Sequence, residues 1–397
     1  MNSFRSEFPQ LKRLTYLNTA ADGLLPLRTI EACRRLIGRF KVSVPRDTYT
    51  RNVIGKLKNE LAKLFNVPSH CFALTLSTTT GLKLALSLID VKKGENIVSF
   101  DLEFPGVAWV VKSRCRQAGC TLRVVKHRNG RYDYGEIEKA VDDKTKAIVL
   151  SSVEWVNGFK FDLKKMSEIA SSVNAYLIVD AVQHAGALRL DLSRVKVDIL
   201  VSSSNKWLIT PKVGCGFTYI NPEILDELKE PLYGLHNMEE PRGGWEKWWA
   251  KPDKDVWSYF KPIREASRYE WGGTPPLLNI YATYTSISMI NEAGIERIES
   301  INMNLKRYLI DELRNLGVER IYLIDEPSSW SSITLFNVSG KIERDMRIAY
   351  ELRKRNVRLS YRGTAGIGGI RVSPHFYNSR DDIDRLIFHL RELMKNL

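Results

Sequence analysis

Four short runs in the middle of the chain constrain its fold more than any other feature: Asn96-Ile-Val-Ser-Phe-Asp101, Lys146-Ala-Ile-Val-Leu150, Tyr176-Leu-Ile-Val-Asp180 and Asp198-Ile-Leu-Val-Ser202. Each is almost continuously apolar. Strands of that kind are covered on both faces, as in a mainly parallel sheet flanked by helices. Helix-period segments alternate with them from about residue 55 to 220. One of these has readable ends: Asp162 is placed to cap it, Leu163, Met166, Ile169, Ala170 and Val173 form its apolar stripe, and Asn174 ends it. Strand-helix-strand alternation predicts an α/β fold with right-handed crossovers.

The pattern breaks over 236–262, where Trp245, Trp248, Trp249 and Trp257 stand among Gly, Pro, Lys and Glu. This reads as a surface excursion pinned by aromatics, or as a lid or subunit-interface loop. After Pro275-Pro276 a helical pattern runs from Leu278 to about Glu292. A smaller unit follows to Leu397, with an amphipathic last helix from about Asp381. At ~100–200 residues per domain, 397 residues suggest two or three domains.

Sixty Lys and Arg against forty-six Asp and Glu leave a net +14. The charge is scattered, as in Arg353-Lys354-Arg355 and Lys164-Lys165, and no run of five or six basic residues forms a tail. A solvated basic surface is therefore expected, and nucleic acid is not an expected partner. Only three glutamines occur beside abundant Lys, Arg and Glu, a profile that points to a heat-adapted source. The five cysteines (33, 71, 115, 120 and 215) make no CxxC pair and read as reduced thiols of a cytoplasmic protein. Charges within Met1–Arg13 leave no secretory h-region, and no stretch of eighteen apolar residues predicts a membrane span. The six histidines lack metal-ligand spacing, so no metal site is expected.

Chemistry concentrates where strands end. Asp180 closes one buried run, Gln183 follows three residues later, and Lys206 lies just beyond another run in Ser202-Ser203-Ser204-Asn205-Lys206-Trp207. In an open α/β sheet the carboxyl ends of strands are where ligands bind. Spacing alone leaves a structural Asp–Lys ion pair equally open. Ser77-Thr78-Thr79-Thr80-Gly81 precedes the helical run Leu82–Leu88 and offers hydroxyls and backbone N–H groups, as an anion site or simply as a cap.

The stretch from Tyr176 to Gly186, then Asp198 through Lys206 to Pro211-Lys-Val-Gly-Cys-Gly216, resembles the class V aminotransferase family of fold-type I pyridoxal-phosphate (PLP) enzymes. That family includes cysteine desulfurases and isopenicillin-N-epimerase-like proteins. The resemblance implies a large PLP-binding α/β domain over 31–275, with the 236–262 insertion. It also implies a small α+β domain over 276–397, against which an N-terminal segment, 1–30, packs. It further implies a Schiff base between Lys206 and PLP, Asp180 on the pyridine nitrogen and Gln183 at the phenolic oxygen. Thr78, Thr79 and Ser203 would bind the phosphate. Asn205 stands where the family often has His. Phe104, in Glu103-Phe104-Pro105, would stack on the ring, and Trp155 would lie near it. Thr274, in Arg268-Tyr-Glu-Trp-Gly-Gly-Thr274, would reach the phosphate of a neighbouring subunit, which implies a homodimer. Arg371, in Gly369-Ile-Arg371-Val-Ser-Pro-His375, would clamp the substrate carboxylate. Asn18, in the segment to Ala21, would line the substrate mouth.

The departures bear on the reaction. Desulfurases present a cysteine shortly before the carboxylate-binding arginine, but 359–371 contains none, and no cysteine follows Cys215. A protein-bound persulfide is therefore not expected. The Gly-rich run 363–369 reads as a flexible gate or as an ordinary turn. The expectation is an aminotransferase acting on amino acids and keto acids. The alternative is a PLP lyase or epimerase, including desulfurase-like, selenocysteine-lyase-like and isopenicillin-N-epimerase-like activities. A reading from another class, motivated by the +14 charge, is a non-catalytic nucleic-acid-associated protein that keeps the fold.

Overall fold

The computed structural model describes residues 4–396. β1 (Thr15–Tyr16), α1 (Leu27–Arg39) and α2 (Asp47–Phe65) come first. Then follow β2 (Phe72–Thr75), α3 (Thr78–Leu88), β3 (Asn96–Phe100), α4 (Pro105–Ala118), β4 (Thr121–Val125), α5 (Tyr134–Ala140), β5 (Thr145–Ser151), α6 (Leu163–Ser172), β6 (Tyr176–Asp180), β7 (Ile199–Ser203) and β8 (Gly216–Ile220). After the short α7 (Trp245–Trp249) come α8 (Leu277–Ala293), α9 (Ile295–Leu316), β9 (Arg320–Ile321), β10 (Thr334–Asn337), α10 (Ile342–Lys354), β11 (Val357–Arg358), β12 (Ser360–Thr364), β13 (Ile367–Val372) and α11 (Arg380–Asn396).

The central sheet has seven strands in the order β2-β8-β7-β6-β5-β3-β4, parallel except where β8 runs against both β7 and β2. The four apolar runs fall on β3, β5, β6 and β7. Their alternate residues serve two separate cores: Ile148, Leu150, Leu177 and Val179 join one, while Ala147, Val149, Ile178 and Val201 join the other. This two-sided burial is why these strands read as continuous apolar runs. Asp162 caps α6 as expected, accepting from the N–H groups of Lys164 and Lys165. The helix after the Ser/Thr run begins earlier than expected: Ser77 is its cap and Thr78–Thr80 form its first turn.

The C-terminal part builds an antiparallel sheet, β12-β13-β10-β9, covered by α9, α10 and α11. The N-terminal segment is tied to it. β1 pairs with β11, Asn18 bridges to Ser373, and Arg5 forms a 2.7 Å ion pair with the buried Asp382. Helix α8 instead packs on α1 and α2, its Ile280, Ile287 and Ile290 sharing a core with Leu57 and Leu61. The residues after Pro276 are thus divided between the two layers. The 363–369 run is an ordered hairpin between β12 and β13, not a loose gate. Ala365 and Gly366 at its tip take φ of 46° and 86°, the left-handed pair that a tight two-residue hairpin needs.

In the 236–262 excursion Trp245 stacks on Trp249 and meets Tyr259 edge-on, so aromatics do pin it. Among the described residues no helix is long and apolar enough to cross a membrane, and no group of three or more His, Cys, Asp or Glu is placed to hold a metal ion.

Candidate active site

Strands β2, β3, β5, β6 and β7 all point their carboxyl ends the same way, and the residues just beyond them wall a cavity of about 460 Å³. From the sheet side come Thr78 and Thr79, Phe104, Trp155, Asp180, Gln183, and then Ser203, Asn205 and Lys206. Ala20–Asp22 and Arg362 and Arg371 of the C-terminal sheet close the other side. The cavity therefore sits at the sheet crevice expected of an open α/β fold. It needs both the N-terminal segment and the C-terminal sheet to be complete.

Lys206 stands at the centre, its Nζ 5.5 Å from the centroid of the Phe104 ring. Burial pushes its amine down to about 8. Asp180 opposes that shift, and Arg371 and Arg362 add to it. Asp180 is itself buried, and burial raises its carboxyl to about 6 against the pull of the Val182 N–H and Lys206. Two more buried carboxyls lie behind it. Glu103 holds the Ser151 N–H and hydroxyl at 2.6 Å each, and burial raises it to about 8. Burial pushes Glu154 well up too, so Asp180 is the member of this acid cluster that most readily carries charge.

The anchoring of the lysine loop is visible in its bonds. Ser203 Oγ donates to Asn205 Oδ1 at 2.6 Å, and Asn205 Nδ2 donates to Asp22 at 3.2 Å. The next residue, Trp207, is fully buried and donates through Nε1 to Gln183 Oε1 at 2.8 Å; Gln183 Nε2 then donates to the Ala20 carbonyl at 3.0 Å. Gly23 passes so close to the lysine loop that a Cβ there would collide with the Lys206 carbonyl. Trp207→Ala is expected to cost about 3–5 kcal/mol, because it opens a cavity and orphans Gln183. Chemical denaturation monitored by far-ultraviolet circular dichroism checks this.

Several groups around the cavity have polar atoms with nothing to bind. The Thr78 hydroxyl, the Trp155 indole N–H and Arg371 Nε are all buried without a hydrogen-bond partner. Arg371 is only 2% exposed. It donates from Nη1 to the Trp155 carbonyl at 2.6 Å, and burial lowers its guanidinium to about 9. Trp155 packs edge-on against Phe104, ring centroids 5.6 Å apart. Such unmet donors around one lysine suit an anionic ligand with a carbonyl.

One expected residue lies elsewhere, and Thr274, expected to serve a neighbouring subunit, lies outside this cavity. Asn18 does not line the cavity. It accepts from Ser360 Oγ at 2.6 Å and sits one layer behind, because the β1–β11 pairing carries it towards the C-terminal sheet. Thr274 is exposed and lines a second, more apolar cavity with Trp245, Trp249, Phe40 and Val44. Conversely, Asp22 and Arg362 were not singled out from sequence. Arg362 is visible as a site residue only through strand register, since it reaches the cavity across the hairpin from Arg371.

The chain is similar to a probable cysteine desulfurase of Methanothermobacter thermautotrophicus, 25% identical over 98% of this chain and 97% of that one. It is equally similar, at 25%, to a Bacillus subtilis protein named uncharacterized aminotransferase YcbU, over 97% and 95% of the two chains. Its fold matches the apo structure of a cysteine desulfurase from Thermococcus onnurineus with a TM-score of 0.86 and 22% identity, over 99% of this chain and 98% of that one. It also matches the cystine C–S lyase C-DES, solved with its product cysteine persulfide, with a TM-score of 0.84 and 22% identity over 97% and 99%. The mainly parallel sheet with its C-terminal α+β layer is thus the fold-type I arrangement of these structures. The family model for class V aminotransferases matches residues 15–386, and the chain belongs to that family.

Proposed function

We propose that this protein is a PLP-dependent lyase that breaks a bond at the β-carbon of an α-amino acid, with Lys206 as its base. The observation that carries the PLP assignment is the convergence of a lysine held near pKa 8, a buried Asp180 and the unpartnered Thr78, Trp155 and Arg371 donors on one cavity. These residues fit the group. The first turn of α3 with Thr78, Thr79 and Ser203 would hold its phosphate, Asp180 its ring nitrogen and Phe104 its ring face. When bound, PLP supplies an electron sink for the substrate α-carbon.

The remaining work falls to the chain. Arg371 orients the substrate through its α-carboxylate, and Lys206 takes the α-proton as a free amine. Asp180 is ionised at neutral pH and offsets the positive charge of a protonated ring nitrogen. In the overall reaction the group at the β-carbon leaves with its bonding pair and gains a proton. Addition of water then gives a 2-oxo acid and ammonia. The names of the curated relatives and of the cystine lyase favour this reading over plain transamination. No cysteine lines the cavity, and Cys215 is buried in the core with its thiol pushed up to about 12. Sulfur transfer to the protein is therefore not part of the reading. The missing nucleophile, together with the aminotransferase-named relative, keeps transamination as the second reading.

Product analysis separates them. A lyase releases ammonia and 2-oxo acid from one amino acid without an acceptor, and its PLP spectrum returns. An aminotransferase stalls in the amine form of the cofactor until a keto acid is added. The lysine adds a pH test. Its amine loses its proton above about 8, so PLP uptake by the apoprotein should rise as pH increases towards 8 and level off above it. An uptake rate still climbing steeply at pH 10 would contradict a depressed lysine.

The homodimer belongs to the same proposal. Thr274 does not reach the cavity of its own chain, and Val42, Val44, Trp257 and Phe260 are exposed. Sedimentation of wild type and Thr274→Ala, with PLP affinity measured alongside, checks it: a dimer whose PLP affinity falls in the variant supports the contribution across subunits.

A further inference from the structure

From the end of β13 the chain runs through Arg371, Ser373 and His375, and these alternate side chains each meet a different wall of the cavity. Arg371 donates to the Trp155 carbonyl at 2.6 Å, and Ser373 Oγ accepts from the Ala20 N–H at 3.0 Å. His375 reaches the lysine loop, its Nε2 lying 2.9 Å from the Trp207 carbonyl oxygen. A carbonyl only accepts, so the ring proton sits on Nε2 and Nδ1 is left to accept. Asn302 of α9 supplies that donor from Nδ2 at 3.3 Å, and the same amide donates to the Ala187 carbonyl at 3.0 Å. Two acceptors facing Nδ2 give the Asn302 amide one orientation, and with it the imidazole one tautomer. Both residues are fully buried, and burial lowers the imidazole to about 3, so it stays neutral.

The carbonyl that His375 holds belongs to a strained turn. The Ile209 N–H donates to the Lys206 carbonyl at 3.1 Å, and Ile209 takes a φ of 55°, the left-handed region that a β-branched residue avoids. Such a conformation persists only where the surroundings hold it. Thr210 fastens the far end, donating to the Ser204 carbonyl from its N–H at 2.9 Å and from Oγ1 at 2.8 Å. At the near end the His375 ring meets Trp207 edge-on, centroids 5.2 Å apart, besides holding its carbonyl. Resting on the reading of Lys206 as PLP anchor and base, we infer that His375 is its positioning residue: through the Trp207 carbonyl it holds the strained turn that keeps the amine buried in the cavity. The charges acting on that amine come from Asp180, Arg371, Asp22 and Arg362. Replacing a neutral imidazole leaves all four in place, so a change in the lysine reports its position.

The test follows growth of the cofactor band when PLP is added to the apoprotein from about pH 6 to about pH 10. It compares wild type with His375→Phe, His375→Asn and His375→Gln, the fold of each checked by circular dichroism. Phe keeps a ring without a donor, Asn is too short to span to the carbonyl, and Gln sets an amide N–H near the place of Nε2. Relaxation of the turn exposes the Lys206 amine to water, which restores part of its ordinary affinity for a proton. In His375→Phe and His375→Asn the pH midpoint of uptake is therefore expected to rise by about one unit, and uptake at neutral pH to slow about tenfold. The PLP concentration giving half-maximal rate should change far less, since none of the phosphate-binding residues touches His375. His375→Gln is expected to restore the wild-type profile. A folded His375→Phe with the wild-type midpoint and rate overturns the inference, as does a His375→Gln profile displaced as far as that of His375→Phe. Should His375→Phe fail to fold, the contrast between His375→Gln and His375→Asn decides in the same way. A wild-type protein that develops no band overturns the functional reading of Lys206 itself.

Discussion

Lys206→Ala is expected to abolish the visible absorption of the bound cofactor and to lower turnover by at least about 10⁴-fold. On the proposed reading it removes the amine that both anchors PLP and moves the α-proton, and general base catalysis alone reaches that range. The rest of the cavity is left standing. Thr78, Thr79, Ser203, Asp180 and Phe104 do not depend on the Lys206 side chain for their positions, so PLP is expected to bind without the covalent link and to be lost on dialysis. The fold should survive too, since the amine is a depressed, partly buried cation rather than a structural anchor. Near-wild-type circular dichroism with no visible band supports the assignment. Retention of the band after extensive dialysis would sink it.

The second large effect is at Arg371. On the proposed reading, truncation to Ala removes the side-on partner of the substrate carboxylate and is expected to weaken amino-acid binding by about 30- to 5,000-fold, the range for breaking a buried charge pair at about 2–5 kcal/mol. PLP affinity should change far less, because no part of the phosphate cradle touches this residue. Arg371→Lys should rescue little, since one ammonium cannot reproduce the planar fork or reach both the ligand and the Trp155 carbonyl. This guanidinium is buried, and among the described residues it has no carboxylate partner. Arg371→Met is therefore expected to match or exceed wild type in thermal midpoint while losing substrate binding. A variant that instead loses stability and PLP affinity together would make Arg371 a structural residue.

Asp180 and Lys206 also show how far a single chain can be read. Their place at one sheet edge was legible because Asp180 closes one apolar strand run and Lys206 lies just beyond another, while spacing alone left a structural ion pair equally open and their proposed roles came from motif resemblance. Phe104 and Trp155 were placed there by motif resemblance, and the Ser/Thr turn was read from its position before a helical run, as an anion site or a cap. The α6 cap at Asp162 was legible because it depends only on local chain geometry.

Other features were decided by contacts between distant segments. Asn18 carries the right residue type, yet pairing of β1 with β11 draws it behind Ser360. Helix α8 follows Pro276 in the chain but packs with α1 and α2. The 363–369 run reads as a flexible gate or an ordinary turn because glycine permits many conformations; its left-handed tip and strand register make it a tight hairpin turn. Arg362 becomes a site residue only once that register sets it diagonal to Arg371. The sequence by itself determined the α/β class and which residues lie at the strand ends, because period and local capping are encoded residue by residue, while the cofactor was read from motif resemblance. Only the tertiary structure decided which charges face one another unpaired, because register and packing depend on segments hundreds of residues apart.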